Sequence, residues 1–292
     1  MFNPRLSLLA GAACALAALS LAPRARADSL IWSTSGYTYN SSQLTTPGTV
    51  GTTAGGNTVR IQYGFQNLPT GITSYFNNSS AAQPSPAVGT YSGSTTTYTD
   101  GGTTAANGTA SSALQIIANF DNAGALIANA GISVTVFFSK PVSGLMFSFW
   151  DVDNGTVANN GPYNDFISNI SAITVASPGN PATTIRPTSL APGGTNTSAN
   201  GTTSGSFTGS ANNAQTSAGG NAMVNFGTNQ ITQFTFTYGD SLAAGSAHSN
   251  LQIIALSDLT FTTVPEPSTW ACFAVAGVAG VWTLRRRVRR TA

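Results

Sequence analysis

Between Asp28 and Thr263 the chain has no cysteine; Cys14 and Cys272 lie in apolar runs outside that body. No disulfide can staple the body, and no thiolate is present there to bind zinc. Histidine occurs once, as His248, and glutamate once, as Glu266 near the C-terminus. Clustered His/Cys metal ligands are therefore excluded, and a carboxylate pair for glycoside hydrolysis would have to be two aspartates, such as Asp151 with Asp165. Charge is scarce everywhere: Asp, Glu, Lys and Arg make up 7% of 292 residues. In the body, Arg60, Lys140 and Arg186 stand against Asp28, Asp100, Asp121, Asp151, Asp153, Asp165, Asp240 and Asp258. An acidic body with no basic patch excludes nucleic acid as a partner. A nucleophile elbow of the Gly-x-Ser-x-Gly kind is missing, as is a phosphate-cradling glycine loop.

What is present is 41% hydrophobic residues, 31 glycines and much Ser, Thr, Asn and Ala. That is too apolar for a disordered chain. Bases are concentrated at the two ends. At the N-terminus Arg5 precedes an apolar run from Leu6 to Ala22, and Ala25-Arg26-Ala27 places small residues at the two positions a signal peptidase requires. Residues 1–27 thus read as a secretory signal, with Asp28 as the mature start.

At the other end, Val264-Pro265-Glu266-Pro267 precedes an uncharged run to Leu284, followed by Arg285, Arg286, Arg287, Arg289 and Arg290. At about 1.5 Å per residue the run from Ser268 reaches roughly 25 Å as a helix, the short edge of a membrane span. Clustered arginines stay cytoplasmic, which puts the body outside the inner membrane. The two prolines break regular structure just before the span. Triplet, apolar run and terminal arginines in this order resemble the PEP-CTERM sorting signal. The resemblance implies that residues 264–292 are read by an exosortase, anchor the protein transiently, and are processed near Pro265 to Pro267. It also implies a setting of exopolysaccharide production. Read without the resemblance, the same residues make a permanent single-span anchor with a proline-rich stalk.

Residues 28–263 show short alternating runs and almost no helical periodicity. Ile132-Ser-Val-Thr-Val-Phe-Phe138 and Phe234-Thr-Phe-Thr-Tyr238 alternate with period two, and Leu145 to Trp150, Leu251 to Leu256, Val59 to Phe65, Ile170 to Val175 and Leu259 to Thr263 suit buried strands. Leu114 to Phe120 reads as a strand as well. Three polar segments, Thr45 to Asn57, Asn77 to Asn107 and Pro187 to Asn221, read as long surface loops. The expected fold is all-β: one jelly-roll-like β-sandwich with long Ser/Thr/Gly/Asn loops, a β-solenoid being disfavoured by the lack of a repeat period. The run Phe137 to Asp153 resembles the strand, Lys-Pro-Val turn, strand, Asp-x-Asp element of jelly-roll bacterial surface domains. On that reading Pro141 starts a turn and Phe137, Phe147 and Phe149 pack inward.

Hard oxygen ligands gather at Asp151-Val-Asp153-Asn154-Gly155, with Asp165 able to complete the set. Such a group suits calcium, or else forms a polar turn in which Asp and Asn bond the backbone. Tyr75, Phe76, Tyr91 and Tyr98, in loop-like stretches, either stack on sugar rings or plug the ends of the sandwich. His248 sits in a loop composition. The expectation is a non-enzymatic exported surface or matrix protein, structural or adhesive, partnered by signal peptidase, exosortase and exopolysaccharide, with no cofactor unless calcium. The alternatives are a calcium-assisted carbohydrate-binding module and, behind it, an exported hydrolase.

Overall fold

A computed structural model describes residues 26–70, 72–76, 86–91, 98–100, 103–105, 111–120, 129–157, 161–176, 179–192, 197–199, 201, 205–212, 218–245 and 252–264. Residues Ala27–Thr263 form one compact unit. Its strands are β1 (Arg26–Leu30), β2 (Gly48–Thr52), β3 (Thr58–Gln66), β4 (Ala87–Tyr91), β5 (Tyr98–Asp100), β6 (Thr103–Ala105), β7 (Ser111–Ala118), β8 (Gly131–Trp150) and β9 (Asn154–Val157). There follow β10 (Gly161–Thr174), β11 (Thr184–Ile185), β12 (Ser189–Pro192), β13 (Thr197–Ala199), β14 (Phe207–Gly209), β15 (Ala222–Asn225), β16 (Ile231–Asp240), β17 (Gln252–Leu256) and β18 (Leu259–Thr263). Among the described residues there is one α-helix, α1 (Trp32–Ser35), which ends at Gly36, whose φ of 66° is the left-handed cap that glycine adopts most cheaply. Among the described residues no helix is long and apolar enough to cross a membrane. Residues 1–25 of the expected signal segment and the apolar tail lie outside the described residues, while Arg26 and Ala27 open β1.

Among the described residues, sixteen strands share one hydrogen-bonded network, and β5 pairs with β6 alone. The network folds into two layers because β8 belongs to both. Its first half lies between β3 and β16, with Val134 opposite Tyr63 on one side and Phe236 on the other. Its second half pairs with β15, β17 and β18, with Phe147 opposite Val224 and Met146 opposite Thr260. The halves then face each other: Phe147 stacks on Phe234 with centroids 4.6 Å apart, and Phe149 meets Phe236 edge-on at 4.7 Å. This is sheet-on-sheet packing, in which inward side chains of two layers interdigitate.

The period-two runs set this core. Ile132, Val134, Val136 and Phe138 of β8 are buried, as are Val59, Ile61 and Tyr63 of β3 and Phe234, Phe236 and Tyr238 of β16. The alternation also corrects one expectation. Phe137 has the opposite parity to Phe138, so it faces outward, where the Arg60 guanidinium lies 6.0 Å from its ring centroid. A second correction concerns Pro141. No hairpin forms there; β8 runs through it for 20 residues. β3 pairs with β8 as far as Phe138, and β18 takes over from Val142. Proline, which cannot donate to a ladder, sits where β8 changes partners. Just beyond it, Gly144 takes φ 65° and donates to the Gly227 carbonyl at 2.8 Å.

The polar segments expected to be loops contain strands. Thr45 to Asn57 holds β2, hairpinned onto β3, Asn77 to Asn107 holds β4, β5 and β6, and Pro187 to Asn221 holds β12, β13 and β14. β2 and β13 carry small polar residues on both faces, and β12 and β14 are only 4 and 3 residues long, so the hydrophobic alternation that reveals a strand is muted in them.

Candidate functional site

β8 ends in the acidic turn that the sequence singles out. Asp151 takes φ 65°, a left-handed conformation that Asp tolerates better than most side chains. The bend turns Val152 fully into the core, where its N–H donates to the Gly220 carbonyl at 2.9 Å. Asp151, Asp153 and Asp165 are 8%, 2% and 1% exposed, so the turn is buried rather than a solvated loop. Asp165 arrives on β10, next to β16. Its N–H donates to the Asp153 carbonyl at 2.9 Å, and its Oδ1 accepts from the Tyr238 hydroxyl at 2.8 Å. β14 covers the turn. A Cβ on Gly209 would stand 2.1 Å from the Asp153 carbonyl carbon, so only glycine fits there.

Burial drives the Asp165 carboxyl well above the ordinary carboxylate range, and the neighbouring charges of Asp153 and Asp151 push it further the same way. The Tyr238 hydroxyl opposes this. Tyr163 and Tyr238 are both raised, chiefly by burial, with Asp153 adding to the first and Asp165 to the second. Two tyrosine hydroxyls thus lie beside three carboxyls, and burial favours the neutral form of Asp165. Among the described residues, no group of three or more His, Cys, Asp or Glu side chains is arranged to hold a metal ion.

A stability prediction follows from that proton. Asp165 titrates higher in the folded chain than in the unfolded one, so its contribution to stability is full below the unfolded value of about 4 and is lost as pH rises through the folded value. Asp165→Asn keeps an acceptor for Tyr238 and cannot ionise. It should raise the melting temperature by a few degrees at pH 8 and flatten the pH dependence of stability above about pH 4. Thermal melts of both proteins from pH 4 to 9 check this; parallel curves would show that Asp165 carries no buried proton.

The aromatic candidates divide. Tyr75 and Phe76 are buried, not displayed: Tyr75 contacts Phe120 at 5.3 Å, and Phe76 meets Phe65 at 5.1 Å and Tyr63 at 5.4 Å. They plug one end of the core and offer no ring to a sugar. Tyr91 lies in β4 and Tyr98 in β5. His248, Ala25 and everything from Pro265 onward, including Glu266, Pro267 and the terminal arginines, lie outside the described residues; Ala27 is exposed on β1 and Val264 follows β18.

Two sets of partners were not legible in the sequence. Tyr238, Tyr163 and Gly209 close the acidic turn from three different strands. The only hint was Tyr238 itself, a hydroxyl at the end of an otherwise apolar alternating face. The second set surrounds buried Asp28, whose carboxylate accepts from the Thr53 and Thr263 hydroxyls and the Gly55 N–H.

An all-β body that ends at Thr263 and is followed by a proline break, an apolar run and clustered arginines defines a tail-sorted protein, a folded cargo with its address at the C-terminus. The address is the PEP-CTERM protein-sorting motif, matched over residues 263–287. Val264, Pro265, Glu266, Pro267, Arg285, Arg286 and Arg287 fall inside the match, and Arg289 and Arg290 follow it. The chain carries an exosortase signal, which marks it for export with a transient stay in the membrane. Neither a curated protein nor a solved structure matches the chain.

Proposed function

We propose that this is a non-enzymatic structural or adhesive protein of the cell surface or extracellular matrix, released by exosortase into association with exopolysaccharide. The observation that carries the reading is the sorting motif placed directly after a compact β domain. A body with one histidine and no glutamate has few groups for acid–base chemistry. Two layers locked by stacked phenylalanines suit a passive module exposed to the exterior without disulfides. The test is cosedimentation of the mature protein with exopolysaccharide prepared from its own source bacterium. Retention in the polymer pellet is expected, and complete recovery in the supernatant would count against the reading.

A calcium-assisted carbohydrate-binding module is the second reading. The burial together of Asp151, Asp153 and Asp165 favours it, since a cation would offset their mutual repulsion, although the three are not arranged as a ligand set. The loss of Tyr75 and Phe76 to the core speaks against it. On this reading chelator abolishes polymer binding and Asp165→Asn lowers stability in calcium. On the first, chelator has no effect and the substitution stabilises.

A further inference from the structure

The sheet face opposite the core carries one cation, and that cation has spent none of its donors. On β3, the first half of β8 and β16, every second residue points outward, away from the buried rows of Ile61, Val134 and Phe234. At those outward positions Arg60 is the only charged residue. Strand register sets Arg60, Phe137 and Gln233 side by side on three adjacent strands, with Gln62, Thr135 and Thr235 in the next row. Neighbouring strands lie about 4.8 Å apart, so Arg60 and Gln233 stand roughly 10 Å from each other across Phe137. Arg60 is exposed, and Phe137, Gln62 and Gln233 are half-buried. The guanidinium rests over the Phe137 ring, 6.0 Å from its centroid. Among the described residues it makes no hydrogen bond or ion pair, and the side-chain amides of Gln62 and Gln233 make no hydrogen bond either. The two threonines satisfy each other, hydroxyl to hydroxyl at 2.9 Å.

We propose that these two rows bind an acidic polysaccharide, Arg60 taking the carboxylate of a uronic acid residue while Gln62 and Gln233 take hydroxyls of the same chain. This rests on the exopolysaccharide reading above and gives the polymer a chemical class. A guanidinium presents paired N–H donors that meet a carboxylate fork to fork, a contact that a neutral sugar cannot make. The ring against it restricts the arginine side chain, so less rotamer freedom is lost on binding. Each glutamine amide offers two N–H donors and a carbonyl acceptor, which suits hydroxyl groups that both donate and accept. Charge decides among the polyanions. The body holds three bases against eight acids. Nucleic acid and anionic membranes are held by many Lys and Arg acting together. One cation among neutral donors and acceptors, at positions free of carboxylates, instead fits a polymer with sparse charge and many hydroxyls. No acid of the protein takes part, so this site works without calcium.

The test is electrophoresis of the mature protein through native gels that contain polygalacturonate, a polyuronate, or dextran, a neutral polymer. Retardation by polygalacturonate and none by dextran is expected, weakening as salt is raised and unchanged by chelator. Arg60→Gln should weaken the retardation about tenfold or more, and Arg60→Lys should recover only part of it, because lysine keeps the charge and loses the fork. Gln233→Ala should show a smaller loss. Arg60 is exposed, so the melting temperature of Arg60→Gln should match that of the unaltered protein. Equal retardation of Arg60→Gln and the unaltered protein would overturn the site, as would equal retardation by dextran or none by polygalacturonate. Cosedimentation of the same two proteins with exopolysaccharide of the source bacterium separates the site from the reading beneath it. If both pellet alike, the site falls and the reading stands. If neither pellets while Arg60→Gln loses its retardation by polygalacturonate, the site stands and the reading falls.

Discussion

Changing Arg285, Arg286, Arg287, Arg289 and Arg290 together to glutamine should abolish C-terminal maturation, leaving the chain at its unprocessed size. The expected loss is nearly complete because the arginines do two things at once. Clustered positive charge just beyond an apolar run holds it in the membrane with the charges on the cytoplasmic side. The run is also short for a hydrocarbon core of about 30 Å, and arginine side chains can bridge the shortfall by reaching to the interface. Without them the segment lacks both its stop and its depth, and Pro265-Glu266-Pro267 is no longer held at a fixed height beside a membrane-embedded protease. Immunoblots of cell fractions read the result directly. Normal amounts of mature-sized product from the substituted chain would show that the arginines are not part of the address.

The second large effect belongs to the layer contact. Phe234→Ala should destabilise the domain by about 3–5 kcal/mol, and Phe147→Ala by a similar amount, as for other buried phenylalanines. Both rings are fully buried and stack on each other at 4.6 Å, so removal of either leaves a cavity between two sheets that cannot collapse without moving a strand. The double variant should cost less than the sum of the two, because the partner ring has already lost its contact. Against a typical total of about 5–15 kcal/mol, each change takes a substantial share. Thr235→Ala is the control. Its side chain points to the other face of β16, where it bonds the Thr135 hydroxyl at 2.9 Å, and it should cost about 1 kcal/mol or less. Urea denaturation measures all four. Equal losses at 234 and 235 would mean that the second half of β8 does not lie over the first.

Much of this architecture was legible because β-strands carry their orientation in sequence. Ile132 to Phe138 and Phe234 to Tyr238 alternate so regularly that strand identity and inward face could both be read, apart from the misassigned parity of Phe137. Strands β2, β12, β13 and β14 were hidden for the complementary reason: short and rich in small or polar side chains, they show no alternation that distinguishes them from loop until a partner is seen. Pro141 misled because proline is a turn former by local rule, whereas here it occupies the stretch where β8 passes from one set of partners to another. The acidic turn was partly legible. Asp151, Asp153 and Asp165 stand out in so uncharged a chain, but their burial does not, because it depends on Gly209 and Tyr238 arriving from strands 44 to 87 residues away.

By itself the sequence determined the C-terminal address, the β class and the inward faces of the central strands, since each rests on local order: charge beside an apolar run, or alternation along a strand. Only the tertiary structure decided that β8 serves both layers, that Asp165 is sealed against Tyr238, and that Asp28 is bonded to Thr263. Those are meetings of residues far apart in the chain, brought about by which sheet edges pair and which faces stack, and a linear pattern carries no record of them.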